Sequence, residues 1–143
     1  MKIFISPVLI LSLTLSLILI STQTFASMDP RLAGSWKSEK EVYLLDDAQV
    51  FLDVTFNPAT VFLTAHCLFR GGQVLSSSVE SKVEYGEGFI KTLESKDHVA
   101  KDGSGKECPI LTRPAQIDYQ FQNAHSLTLN DKELGMIVNL IRK

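Results

Sequence analysis

The chain has 143 residues, 45% of them hydrophobic and 8% aromatic, with 14 basic and 16 acidic side chains for a formal net charge of −2. After the N-terminal segment described next, that length leaves room for one domain with one modest core. The basic residues, among them Lys37, Lys40, Lys82, Lys91, Lys96, Lys101 and Lys106, are scattered, so no stripe marks a nucleic-acid or anionic-membrane surface.

The N-terminus has a basic start at Lys2, an apolar run from Ile3 to Ile20, and a polar stretch, Ser21 to Thr24, ending in Phe25-Ala26. This is the layout of a secretory signal peptide. Thr24 and Ala26 occupy the small-residue positions of an A-x-A-like site and Ser27 follows, so cleavage is expected after Ala26. The alternative, an uncleaved membrane helix, is weakened by Pro7 and by the interspersed Ser6, Ser12, Thr14 and Ser16, and no basic stop-transfer cluster follows. No Cys lies near the site for a lipid anchor, and no twin arginine is present. The expected organisation is therefore a signal peptide over 1–26 and one exported domain over 27–143, periplasmic or secreted, without membrane attachment after cleavage. Loss of Lys2 takes the net charge to −3 over 117 residues.

Period-two alternation then recurs and no helical period is sustained, which predicts an all-β domain. Gly34 to Ser38 reads as an opening strand. In Val50 to Phe56, Val50, Leu52, Val54 and Phe56 share one face until Asn57-Pro58 breaks the ladder. Thr60 to Phe69 places Val61, Leu63, Ala65, Cys67 and Phe69 on one apolar face, so Cys67 is expected in the core. Arg70 to Gln73 is a glycine-bearing hairpin turn. Ser78 to Tyr85 alternates Val79, Ser81, Val83 and Tyr85 against Glu80, Lys82 and Glu84, and Gly86-Glu87-Gly88 turns into Phe89 to Glu94. Ser95 to Glu107 reads as a long mobile loop ending at Cys108. Strands at Ala115 to Phe121, Ser126 to Asn130 and Leu134 to Arg142 complete the chain.

About eight strands joined mostly by short turns form an antiparallel meander. Closure into an up-and-down barrel removes its exposed edges; a β-sandwich is the alternative. In an exported chain, Cys67 and Cys108 are expected to form a disulfide closing a loop of about 40 residues, with a chain-entropy contribution on the order of 4 kcal/mol.

Gly34-Ser35-Trp36, within Leu32 to Lys37, resembles the G-x-W opening of lipocalins and their calycin relatives, including small bacterial lipocalin-like domains. The resemblance implies a Trp at the base of a barrel, with a basic residue from near the closing strand over its ring. Arg142 is the matching residue, and such a cation–π contact contributes about 0.5 to 2 kcal/mol. The chain departs from the lipocalins in its shorter strands and loops and in showing no C-terminal helix.

The residues that could carry chemistry are sparse. His66 and Cys67 are adjacent in a strand and point to opposite faces, so they cannot act together. His98 and His125 are isolated, and Asp46, Asp47, Asp53 and Glu41 lack calcium-loop spacing, so no metal is expected. Lys101 to Glu107 echoes a phosphate loop but has Glu107 where Ser or Thr is needed and Ala100 in place of the first Gly. Ser76, Ser77, Ser78 and Ser104 lack a nucleophile elbow. No enzyme activity and no cofactor are expected.

Binding is the function left. One expectation is a small apolar molecule inside the barrel, lined by Val54, Val61, Leu63, Ala65, Ile117, Tyr119 and Phe121. The other is a protein partner, as for an inhibitor or envelope component, met through the loops around Ser95 to Glu107. A cavity above about 300 Å³ favours the first; a packed interior with an exposed apolar patch near that loop favours the second.

Overall fold

The computed structural model describes residues 26–110 and 113–143. The expected signal segment through Phe25 lies outside the described residues. Nine strands follow in order: β1 (Gly34–Ser38), β2 (Tyr43–Leu44), β3 (Ala48–Phe56), β4 (Thr60–Phe69), β5 (Val74–Gly86), β6 (Phe89–His98), β7 (Gln116–Asn123), β8 (Ser126–Asp131) and β9 (Met136–Arg142). No helix occurs among the described residues.

Each strand from β3 to β9 pairs antiparallel with the next, and β1 closes the ring by pairing with both β9 and β3. Eight strands thus form a closed up-and-down barrel. The two-residue β2 continues along β3 after β1 has left it, through Tyr43↔Val50 and Leu44↔Gln49. A single closed sheet replaces the sandwich alternative.

Alternation in the sequence becomes inside and outside in the barrel. Ala48, Val50, Leu52, Val54 and Phe56 of β3 are all buried, as are Val79, Ser81, Val83 and Tyr85 of β5. Two strands, β5 and β6, run four residues or more beyond the bounds their side-chain pattern predicts. β5 begins at Val74, because Ser76 and Ser77 join the ladder opposite His66 and Ala65. β6 runs on to His98, so Ser95 to His98 are strand rather than the start of a mobile loop; they pair with Ser81 to Ser78. Backbone hydrogen bonds hold these residues in the sheet although their side chains carry no apolar alternation. The last strand starts later than expected, at Met136, because Leu134 and Gly135 belong to the preceding turn.

The base of the barrel is closed by the segment preceding β1. Trp36 and Leu32 are fully buried, and the Trp36 Nε1–H donates to the Leu32 carbonyl at 2.8 Å. The Arg142 guanidinium carbon lies 4.3 Å from the Trp36 ring centroid. Its Nη1 donates to the Ala33 carbonyl at 2.8 Å and its Nη2 to that of Arg31 at 2.6 Å. Gly34 has φ +107°, so the first residue of the motif is constrained by its backbone. At Gly86 the constraint is packing alone: a Cβ would collide with the Phe89 ring. Tyr85 donates its hydroxyl to the Asn57 carbonyl at 2.7 Å, and burial pushes its phenol up to about 12.

Because one side chain joins the two ends of the meander, Arg142→Ala should lower the unfolding free energy by about 2 kcal/mol. Arg142→Lys should recover less than half of that, since an ammonium cannot stack flat and reach two carbonyls together. Urea denaturation of the two variants measures both, and an unchanged midpoint for Arg142→Ala contradicts the closing role.

Candidate functional site

The barrel interior is not filled. A cavity of about 180 Å³ lies among side chains from β3 to β9 and the segments before β3 and β7. Leu52, Val54 and Phe56 from β3, Val61 and Leu63 from β4, and Ile90, Ile117, Leu129 and Val138 make its wall largely apolar. It is flanked by two packed regions. One is the Trp36 base with Leu127 and Leu140; the other gathers Val50, Ala65 and Cys67 around Cys108, all fully buried. The lining also includes Leu134, about half exposed, and Arg113, which marks the side nearest solvent.

Arg113 is held there by carboxylates. Its Nη2 meets Asp131 Oδ2 and its Nη1 meets Glu133 Oε2, each at 2.5 Å. Asp131 is only 5% exposed, and its other oxygen accepts the backbone N–H groups of Glu133 and Leu134 at 3.1 Å. The turn between β8 and β9 is therefore organised by the same carboxylate that fixes Arg113 at the cavity wall.

Of the residues expected to line a ligand space, Val54, Val61, Leu63 and Ile117 do line the cavity. Ala65 does not: it sits in the disulfide cluster, where its carbonyl oxygen is 3.5 Å from Cys108 Sγ. Tyr119 and Phe121 also lie elsewhere, at the base, with ring centroids 5.8 Å apart and Phe121 6.2 Å from Trp36. Those three share the alternation of their neighbours, but strand tilt carries them past the hollow region. Of the polar members of the wall, alternation placed Ser81 on the inward face but failed to indicate Thr92, Ser95, Arg113 and Asp131. In particular, a bulge in β6 lies between Ser81↔Ser95 and Val83↔Thr92, so Thr92 and Ser95, three residues apart, both reach the interior while Leu93 stays 40% exposed.

Cys67 and Cys108 are bonded, and the loop they hold is ordered around Ser77. The Ser77 hydroxyl, fully buried, donates to the Cys108 carbonyl at 2.5 Å and accepts the Ala100 N–H at 2.8 Å. Lys101 and Glu107 bridge across the loop neck. Within it, Asp102 accepts hydrogen bonds from the Ser104 hydroxyl, the Gln73 amide, and the Lys106 and Ser104 N–H groups, which hold its carboxyl down at about 2.

His66 points outward, away from Cys67. Its Nδ1 is 2.8 Å from Ser76 Oγ and its Nε2 3.1 Å from Asp53 Oδ2, which also accepts Lys143 Nζ at 2.6 Å. Asp53 is thus drawn from the acidic group into a polar row across the barrel's outer face, where Ser76 is exposed and no apolar wall excludes water. Asp47 pairs at 3.6 Å with Lys106.

Fold and interior together define a closed eight-stranded antiparallel barrel with an apolar internal cavity. The sequence matches no protein-family model and no curated protein.

Replacing Cys67 and Cys108 with Ala should destabilise the barrel by up to about 4 kcal/mol, the chain-entropy value for a separation of 41 residues. Chemical denaturation of the variant against the oxidised protein reads this directly. The Asp102 turn should show a distinct pH response. Its folded pKa of about 2 lies below the ordinary 3.8, so the turn is fully held above pH 4 and released as pH falls through about 2. The Ser104 and Lys106 amide resonances should report that midpoint; one near 4 contradicts the turn.

Proposed function

We propose that this protein is an exported, non-catalytic carrier of lipocalin-like type that holds a small apolar molecule inside its barrel. The observation that carries the reading is the cavity of about 180 Å³ with a mainly apolar wall inside the barrel. Interiors normally pack to crystal-like density. The apolar wall left uncovered here is surface that a bound molecule can remove from water. The volume falls below the roughly 300 Å³ typical of sites for drug-sized ligands but exceeds the roughly 150 Å³ known to admit benzene. The reading is therefore of a molecule of about one ring. It would bury on the order of 200 Å², which at about 25 cal/mol per Å² gives an affinity near 0.1 to 1 mM.

Export is supported by the composition of residues 1–26 and by the buried Cys67–Cys108 bond, which persists in oxidising compartments. The Gly34-Ser35-Trp36 motif with Arg142 over the indole supports the lipocalin-like assignment.

A second reading, a protein-interaction module, draws on the outer face. Exposed Leu44, Leu68 and Val74 fall in one cross-strand row, through Leu44↔Gln49↔Leu68↔Val74. That row ends beside Gln73, which bonds to Asp102 of the disulfide-held loop at 3.0 Å.

Native mass spectrometry of protein from its own source distinguishes the two readings. With toluene added in millimolar excess the carrier should show a small-molecule adduct, and Leu63→Trp or Val79→Phe, which fill the cavity, should lose it while remaining folded. A clean apo mass with a co-purifying protein, or an adduct that survives in both filled variants, counts against the interior as the binding site.

A further inference from the structure

A hydrogen-bonding atom placed in this mainly apolar cavity needs a partner, and the polar groups of the wall differ in what they can offer. Tyr43 donates its hydroxyl to the Pro109 carbonyl at 2.9 Å. Thr92 is occupied in both directions: its hydroxyl faces the Arg113 and Ala115 carbonyls at 3.2 and 3.1 Å and accepts the Ala115 N–H at 2.7 Å. Arg113 and Asp131 neutralise each other, with Glu133 supplying a second carboxylate to the same guanidinium. Ser81 and Ser95 stand apart. Their hydroxyls are 2.7 Å from one another, across the β5–β6 ladder at the bulge. Two hydroxyls carry two hydrogens, and the bond between them uses one. The pair thus retains a donor and several acceptor positions at the cavity wall.

We infer that the Ser81–Ser95 hydroxyl pair is the polar anchor of the cavity, and that the molecule it selects is uncharged, about one ring in size, and bears one hydroxyl or carbonyl group. The inference rests on the carrier reading above and gives it a ligand class. An anion finds its nearest cation, Arg113, already matched by two carboxylates. A cation finds the buried carboxylate of Asp131 already taken, one oxygen by Arg113 and the other by the Glu133 and Leu134 N–H groups. Either ion would lose its hydration against a wall that returns little of it. A neutral hydroxyl or carbonyl, by contrast, exchanges its water for the serine pair. The bulge in β6 brings the two hydroxyls together: in a regular ladder continued from Val83↔Thr92, Glu94 would stand opposite Ser81 and Ser95 would sit on the outer face.

The test is a two-dimensional NMR titration of the oxidised protein at pH 7 with p-cresol, toluene and benzoate, repeated on the Ser81→Ala/Ser95→Ala variant. The wild type should bind p-cresol and toluene and bind benzoate at least tenfold more weakly than p-cresol. The variant should lose at least tenfold in p-cresol affinity while its toluene affinity changes less than twofold. A second measurement uses the wild type alone and is independent of how the variant folds. Nuclear Overhauser contacts should place the methyl end of p-cresol away from the Ser81 and Ser95 methylenes and the hydroxyl end beside them. Equal p-cresol binding by wild type and variant, a reversed orientation, or benzoate binding as tight as p-cresol overturns the anchor while toluene binding leaves the carrier reading standing. If neither toluene nor p-cresol shifts the signals of cavity residues, the carrier reading falls and the anchor with it.

Discussion

Arg142 lies against the Trp36 ring at 4.3 Å and donates to the carbonyls of Ala33 and Arg31, so one side chain of the last strand holds both the first strand and the segment before it. A meander that is not joined end to end leaves two rows of unpaired backbone groups at its edges. Here the β1–β9 ladder has only three residue pairs, Trp36↔Arg142, Lys37↔Ile141 and Ser38↔Leu140. Side-chain contacts at the base supplement that short seam. The charge on the guanidinium strengthens its hydrogen bonds to the two carbonyls, and its planar face covers the indole.

With the base closed and the Cys67–Cys108 cluster packed on another side, the hollow is confined to the middle of the barrel. The disulfide does more than join two strands. It fixes the start of a segment whose later residues, Ile110 and Arg113, line the cavity, and buried Ser77 secures the same segment by accepting the Ala100 N–H and donating to the Cys108 carbonyl. Asp131 acts similarly from the opposite side, organising the β8–β9 turn while pairing with Arg113. The apolar wall is thus bounded by polar groups whose hydrogen bonds are mostly made within the protein, which is the condition for burying them.

The parts of the site legible in the sequence are those carried by unbroken alternation. Val54, Val61, Leu63 and Ile117 are inward because every second residue of a strand faces the core. Ala65, Tyr119 and Phe121 obey the same rule, yet they pack against the disulfide and the Trp36 base rather than the hollow. Alternation says which face a residue occupies but not its height along a tilted strand. Ser76 and Ser77 look like a turn in the sequence and are strand in the fold. Ser95 looks like the first residue of a loop and instead points into the cavity, because one extra residue in β6 reverses the parity beyond it.

By itself the sequence determined the class of structure: period-two patterning made it all-β, short turns made it antiparallel, and the G-x-W opening with a late arginine marked where the ends meet. It also pointed to the cysteine pair, since a chain with two cysteines has one disulfide it can form, and the fold brings Cys67 and Cys108 together. The tertiary structure alone decided that the interior is hollow, where the hollow lies, and which polar side chains reach it. Those properties depend on volumes summed over seven strands and on a bulge created by pairing, and neither is encoded in the local pattern of any one strand.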